Sequence, residues 1–173
     1  MLGNKAIKAA LMVTLVTLSG LLPLQASADC KFVSTKDGSP LAIKAVDSDT
    51  PEAKQFIATC INPYTKKFAE NKELANAGKK KFGYWSCTQC HGGNAGGQTG
   101  PSITDATWQY SKHVTDKGMF ETIAGGSNGG MPTWHNQPAG NPELLSTDEI
   151  LKIIGWLRVE YKGGGDTPWL NDK

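Results

Sequence analysis

Cys87-Thr88-Gln89-Cys90-His91 constrains this chain more than any other stretch. Two thiols three positions apart can close a redox disulfide, supply half of a zinc site, or anchor a porphyrin. A thioredoxin-like pair needs a strand running into the motif and a parallel sheet behind it. The sequence around the motif is instead helix-forming and Gly-rich. A structural zinc site needs four ligands. No second Cys-x-x-Cys or paired His motif is present, and Cys30 and Cys60 lack knuckle spacing. His91, directly after the second thiol, decides between the readings, because Cys-x-x-Cys-His is the attachment signal for a c-type haem. The two thiols add to the vinyl groups, and the adjacent imidazole reaches iron as the proximal ligand.

Haem iron has a second axial position. Beyond residue 28 the chain holds two methionines, Met119 and Met131, and two further histidines, His113 and His135. Met119 shares helical spacing with Ile123, and a Met so placed reads as packing. Met131 sits in "GGSNGGMPTW", where glycines let backbone pass close to a flat ring and Pro132 holds Met131 extended. Met131 is therefore the favoured sixth ligand. His113 and His135 read as surface or hydrogen-bonding residues, with bis-His ligation as the alternative.

Residues 1–28 read as a cleaved secretory signal: Lys5 and Lys8, an apolar run, then Ala26-Ser27-Ala28. A retained membrane anchor is the alternative, and Asp29 argues against a lipid anchor on Cys30. Export predicts a periplasmic protein with no stable membrane insertion. Lys5 and Lys8 account for the whole excess of 18 basic over 16 acidic residues, so the exported chain is charge-balanced and nucleic acid is not an expected partner. Lys66, Lys67, Lys72 and Lys79 to Lys81 form a local cluster. It reads first as a solvated helix face and second as a docking patch for an acidic partner. An oxidising compartment favours pairing of the two remaining thiols, Cys30 with Cys60. The bond would close a loop of about thirty residues, worth roughly 3 kcal/mol in the chain-entropy account.

The predicted elements are helices and loops. Residues 29–48 are irregular. Thr50 caps a short helix with Pro51 at its first position, carrying Ala53, Phe56, Ile57 and Cys60. A helix is predicted from about Lys72 to Tyr84, with Leu74, Gly78 and Phe82 on one face. Another runs from Thr115 to a stop at Gly125. The last opens on the Ser146/Glu149 capping box and places Ile150, Ile153, Ile154, Leu157 and Tyr161 on one face, ending at Gly163 to Gly165.

Four stretches in order, "GKKKFGYWSCTQCHGG", "GPSITDATW", the Met131 loop and "LSTDEILKIIGWLRVEY", resemble a class I cytochrome c over residues 70–162. The resemblance implies an all-α class I cytochrome c fold around one covalent haem, with an N-terminal extension at 29–69 and the cytochrome domain at 70–173. It implies that Gly78 and Phe82 meet Leu157 and Tyr161, that the Pro101 carbonyl accepts from His91 Nδ1, and that Trp108 lies near a haem propionate. "DTPEAKQF", "INPY", "TDKGMFETIAGGSNGGM" and "YKGGGDTPWL" are similar more narrowly to the cytochrome c-L family, electron acceptors of quinoprotein methanol dehydrogenases. That similarity implies a non-enzymatic electron carrier. Its donor would be methanol dehydrogenase, its acceptor a downstream cytochrome c or oxidase, and its docking edge would be ringed by the Met131 loop. A carrier for another dehydrogenase, and a haem enzyme or sensor with an open sixth site, are the alternatives.

Overall fold

The structure, a computed structural model, describes residues 30–170; the expected signal segment and its cleavage point lie outside them. The helices are α1 (Pro51–Thr59), α2 (Pro63–Glu70), α3 (Asn76–Tyr84), α4 (Thr88–His91), α5 (Asp116–Gly125), α6 (Asn136–Ala139) and α7 (Thr147–Val159). Two short 3-10 helices lie at Ser111–Val114 and Pro168–Leu170. Among the described residues the only β pairing consists of two isolated bridges, Val33 with Pro40 and His135 with Leu145. The chain has the expected all-α class.

Local chemistry starts the helices. Thr50 is extended, and its hydroxyl accepts from Ala53 N at 3.2 Å, with Pro51 opening the helix. Asn62 and Pro63 repeat the device for α2, Asn62 Oδ1 accepting from Tyr64 N at 3.0 Å. Thr115 accepts from Gly118 N at 3.0 Å to start α5. Ser146 and Glu149 cap α7 reciprocally, as their spacing predicts.

α7 is the centre of the fold, packed most extensively on α3 and next on α2. At the α3 crossing a Cβ on Gly78 would lie 2.0 Å from the Lys152 carbonyl oxygen and 2.7 Å from Trp156 Cβ, so only a hydrogen fits. Phe82 then packs on Trp156 with ring centroids 4.9 Å apart. Gly155 does the same service toward α2, where a Cβ would meet Phe68 at 2.9 Å. The irregular N-terminal stretch joins this core through Phe32, which meets Phe56 at 5.5 Å and Phe120 at 5.1 Å. The Cys30–Cys60 disulfide pins that stretch, with Cα atoms 5.3 Å apart and Cys30 N donating to Ile57 O at 2.9 Å.

Several expectations about element ends are corrected. Residues 72–75 form successive turns rather than helix, Leu74 N donating to Asn71 O and Ala75 N to Lys72 O. Leu74 is consequently 43% exposed and belongs to no core face. α2 was not expected as an element. α5 includes Gly125 and stops at Gly126, whose φ of 75° suits glycine. α7 ends at Val159, four residues before the predicted glycine stop. Tyr161 is therefore off the helix, and Gly78 meets Lys152 and Trp156 instead of Leu157 and Tyr161. The cause is tertiary: Lys162 N donates to Thr104 O at 2.7 Å, drawing the chain away toward the 101–106 loop.

Candidate cofactor site

α3 delivers the motif. Cys87 N donates to Phe82 O at 3.1 Å as α3 ends, and the chain re-enters a helical turn with His91 N donating to Cys87 O at 3.0 Å. His91 Nδ1 lies 2.9 Å from Pro101 O. A carbonyl only accepts, so Nδ1 carries the proton and Nε2 keeps its lone pair. The intervening loop wraps the imidazole closely. Gly97 N donates to His91 O and Gly100 N to Cys90 O, both at 2.8 Å. A Cβ on Gly100 would lie 3.3 Å from His91 Cε1.

His91, Pro101, Trp108, His113, Met119 and Met131 help line one cavity of about 280 Å³. Cys87, Phe82 and Trp134 join His91 and Met131 around a smaller space of about 30 Å³. Cys90 is exposed, and both motif thiols are free. Burial, the larger cause, and the Cys90 neighbour push the Cys87 thiol up to about 11. The Met131 loop is held through main-chain oxygens: Ser127 N donates to Met131 O at 2.9 Å, Asn128 Nδ2 to Lys36 O at 2.8 Å and Thr133 Oγ1 to Gly125 O at 3.0 Å, and a Cβ on Gly126 would lie 2.5 Å from the Met131 oxygen.

The histidines are not surface residues. His135 is fully buried and uses both ring nitrogens, Nδ1 accepting from Gln137 N at 3.1 Å and Nε2 donating to Thr147 Oγ1 at 2.9 Å. Burial pulls its pKa down to about 4. His113 is buried with Nε2 on Thr122 Oγ1 at 2.8 Å. Burial first, then the Lys112 and Arg158 charges, pull it down to about 4. The hydrogen-bonding half of the sequence reading holds for both. Met119 is a core residue, 5% exposed, that also reaches the cavity wall.

Sequence reasoning missed the corner behind Trp108. Trp108 stacks on Tyr161 with centroids 5.7 Å apart and an interplanar angle of 6°. Trp169 edges onto both rings, at 6.1 Å and 4.8 Å. The Arg158 guanidinium lies 4.1 Å from the Trp169 centroid and donates to Asp116 Oδ1 at 2.7 Å and to His113 O at 3.0 Å. Thr65 Oγ1 donates to the other Asp116 oxygen. A charged residue one turn after Ile154, on the apolar stripe of α7, was the available signal.

The donor set suits a c-type haem. Two free thiols flank one imidazole whose Nδ1 is already engaged, a thioether shares its cavity, and glycines leave room where the backbone passes the ring. The chain matches the family described as cytochrome c oxidase, cbb3-type, subunit III, over residues 73–157. Cytochrome c-L of Methylorubrum extorquens is 38% identical over 146 residues, which cover 82% of this chain and 68% of that one. The CcoP subunit of the cbb3-type cytochrome c oxidase of Rhodobacter capsulatus is 33% identical over 94 residues, covering 53% of this chain and 30% of its own length. Among solved structures, cytochrome cL of the methylotroph Methylophaga aminisulfidivorans superposes with a TM-score of 0.66 at 32% identity, covering 82% of this chain and 88% of that one. Cytochrome cL of Hyphomicrobium denitrificans gives 0.63 at 36% identity, with 76% and 73% covered.

Proposed function

Because the chain belongs to the cytochrome c-L family and so is a c-type cytochrome that carries electrons, we propose that a quinoprotein methanol dehydrogenase is its donor. The exchange takes place in the periplasm, and the acceptor is a downstream cytochrome c or oxidase. Cys87 and Cys90 would hold one haem c covalently, and His91 and Met131 would ligate its iron. The observation that carries this reading is the cavity shared by His91 and Met131, with His91 Nδ1 fixed on Pro101 O. Among the described residues no helix is long and apolar enough to cross a membrane.

When bound, the haem supplies one-electron ferric/ferrous chemistry. The protein's part is to set its environment. The Pro101 carbonyl fixes the orientation of the imidazole and strengthens Nε2 as a donor. The Met131 thioether in the same cavity would, as a ligand, favour the reduced state and raise the potential. Ile103, Ile123 and Leu157 on the wall exclude water and penalise the extra positive charge of the oxidised state. With His91 and Met131 both ligating, no substrate would have to reach the metal, as befits a carrier rather than a haem enzyme or sensor.

The test is reduction of the purified holoprotein by a methanol dehydrogenase from the same cell. Reduction at the turnover rate of the enzyme, with a reduced spectrum unmoved by carbon monoxide, is the expected result. A ready carbon monoxide shift would favour the open-site alternative. Absence of reduction by this enzyme, with reduction by another dehydrogenase, would transfer the protein to a different donor.

A further inference from the structure

The electron-carrier reading uses the cavity and the Met131 loop, and leaves the outer face of α3 unexplained. Tyr84, at its C-terminal end, is 77% exposed, the most exposed large hydrophobic residue among those described. Lys81 Nζ lies 5.9 Å from its ring centroid and is paired with Glu149 Oε1 at 2.6 Å, so its charge is compensated. Lys79 and Lys80 are exposed one turn earlier, and neither forms an ion pair among the described residues. From Leu74 to Thr104 the chain carries Lys79, Lys80 and Lys81 and no acidic residue. Because the whole chain has 18 basic and 16 acidic residues, this is local segregation and not a reflection of net charge.

The same face connects inward. Tyr84 meets Trp85 edge to face at 5.4 Å, and Trp85 meets Trp134 edge to face at 6.3 Å. Trp134 lines the inner space with Cys87, His91 and Met131. Three peptide units also join Tyr84 to Cys87 covalently. An exposed aromatic ring beside two lysines without ion pairs, wired by rings and by backbone to a cysteine of the haem motif, is more than a solvated helix face requires. Exposed aromatic and cationic side chains together are what a transient redox contact uses: the charges steer, and the ring supplies the small dry centre.

We propose that the Lys79–Lys80–Tyr84 face is a docking surface, distinct from the rim carrying Met131, for a one-electron redox protein with an acidic contact surface. The proposal rests on the electron-carrier reading. The probe is an oxidised acidic plastocyanin mixed with the reduced holoprotein in a stopped-flow instrument. The holoprotein loses one electron, probe Cu(II) becomes Cu(I), and no proton moves. Lys79→Glu/Lys80→Glu should lower the second-order rate constant about tenfold at low ionic strength, with the difference closing as salt screens the charges. Tyr84→Ala should lower it a few-fold at every salt concentration. Lys44→Glu, on the N-terminal stretch, is the control and should change it less than about twofold. An effect of Lys44→Glu half that of the double variant on a logarithmic scale, the share of its two charge units against four, would overturn the proposal by leaving only net charge at work. An unaffected rate in the double variant would overturn it as well. If hexacyanoferrate(III) fails to oxidise the reduced native protein, the carrier reading itself falls, and the proposal with it.

Discussion

The Arg158 corner and the Met131 loop flank the same cavity and are held in opposite ways. At the corner, side chains do the holding: a buried guanidinium on Asp116 and under Trp169, a threonine on the other carboxylate oxygen, and three aromatic rings in contact. At the loop, the closest ties end on main chain: Ser127 N donates to Met131 O, Asn128 Nδ2 to Lys36 O and Thr133 Oγ1 to Gly125 O, around glycines at 126, 129 and 130. Specific side-chain chemistry makes the corner costly to alter. Backbone closure leaves the Met131 side chain free to be chosen for what it binds. Stability should therefore concentrate at the corner and the helix crossing, and the colour and potential of the holoprotein at the loop.

The largest effect on stability is expected from Asp116→Ala, which leaves Arg158 buried beside an absent carboxylate. The loss should be about 3–5 kcal/mol in urea denaturation, while the visible spectrum of the folded fraction stays native. A spectrum that changed with stability would break the division between corner and loop.

Acidification comes next. His113 and His135 sit at about 4 in the fold against an ordinary 6.5, so the fold disfavours their charged forms. Their contribution is complete above pH 6.5 and is lost as pH falls toward 4, about 3 kcal/mol for each once fully titrated. Asp148 and Glu149 do not share this window. Burial alone would raise them, but hydrogen bonds from Lys152, Tyr64 and Thr50 to Asp148, and from Lys81 and Ser146 to Glu149, outweigh it and hold both low. Urea midpoints at pH 7, 5.5 and 4.5 should fall steadily; a flat profile down to pH 4.5 would contradict the buried neutral imidazoles.

Gly78→Ala should cost about 1–3 kcal/mol, because the new methyl meets the Lys152 backbone and backbone yields little. Its thermal midpoint is the readout. Met131→Ala should have the smallest effect on stability, about 1 kcal/mol, and the largest on colour. The weak red absorption that reports iron–sulfur ligation should vanish and the potential should fall. Loss of that band in Met119→Ala with retention in Met131→Ala would exchange their roles.

What could be read in advance follows from how local each feature is. The caps at Thr50, Thr115 and Ser146, the isoleucine stripe of α7 and the Cys30–Cys60 pairing depend on neighbours in sequence or on a count of thiols. α2 was also legible, since Asn62-Pro63 repeats the Thr50-Pro51 signature, but its short polar stretch shows weak periodicity. The start of α3 was placed too early because Leu74 continues the apolar spacing, whereas its backbone closes turns and its side chain stays in water. Tyr161 continues the α7 stripe in sequence, yet a bond from Lys162 to Thr104, 58 positions away, decides where it goes. Arg158 showed only as a charge on the α7 stripe, and its partners, like those of Trp169, are tertiary and could not be read. His91 and Pro101 came within hydrogen-bond distance as the resemblance implied.

Trp169 is buried at 5% exposure, yet it is tethered to the body of the protein through Gly163, Gly164 and Gly165, the last two at φ of 66° and 74°. Letting go of that indole gives up its contacts with Arg158, Trp108 and Tyr161 and the short turn at Pro168–Leu170, but leaves the Arg158–Asp116 pair and α1 to α7 in place, so this latch can open locally without global unfolding. A protease limited to native protein should therefore cut first between Gly163 and Thr167. The clipped molecule would keep α1 to α7 but lose the ring that edges onto Trp108 and Tyr161. Water would then gain access to one side of the cavity, and a nick well away from the motif could retune the centre that the motif holds.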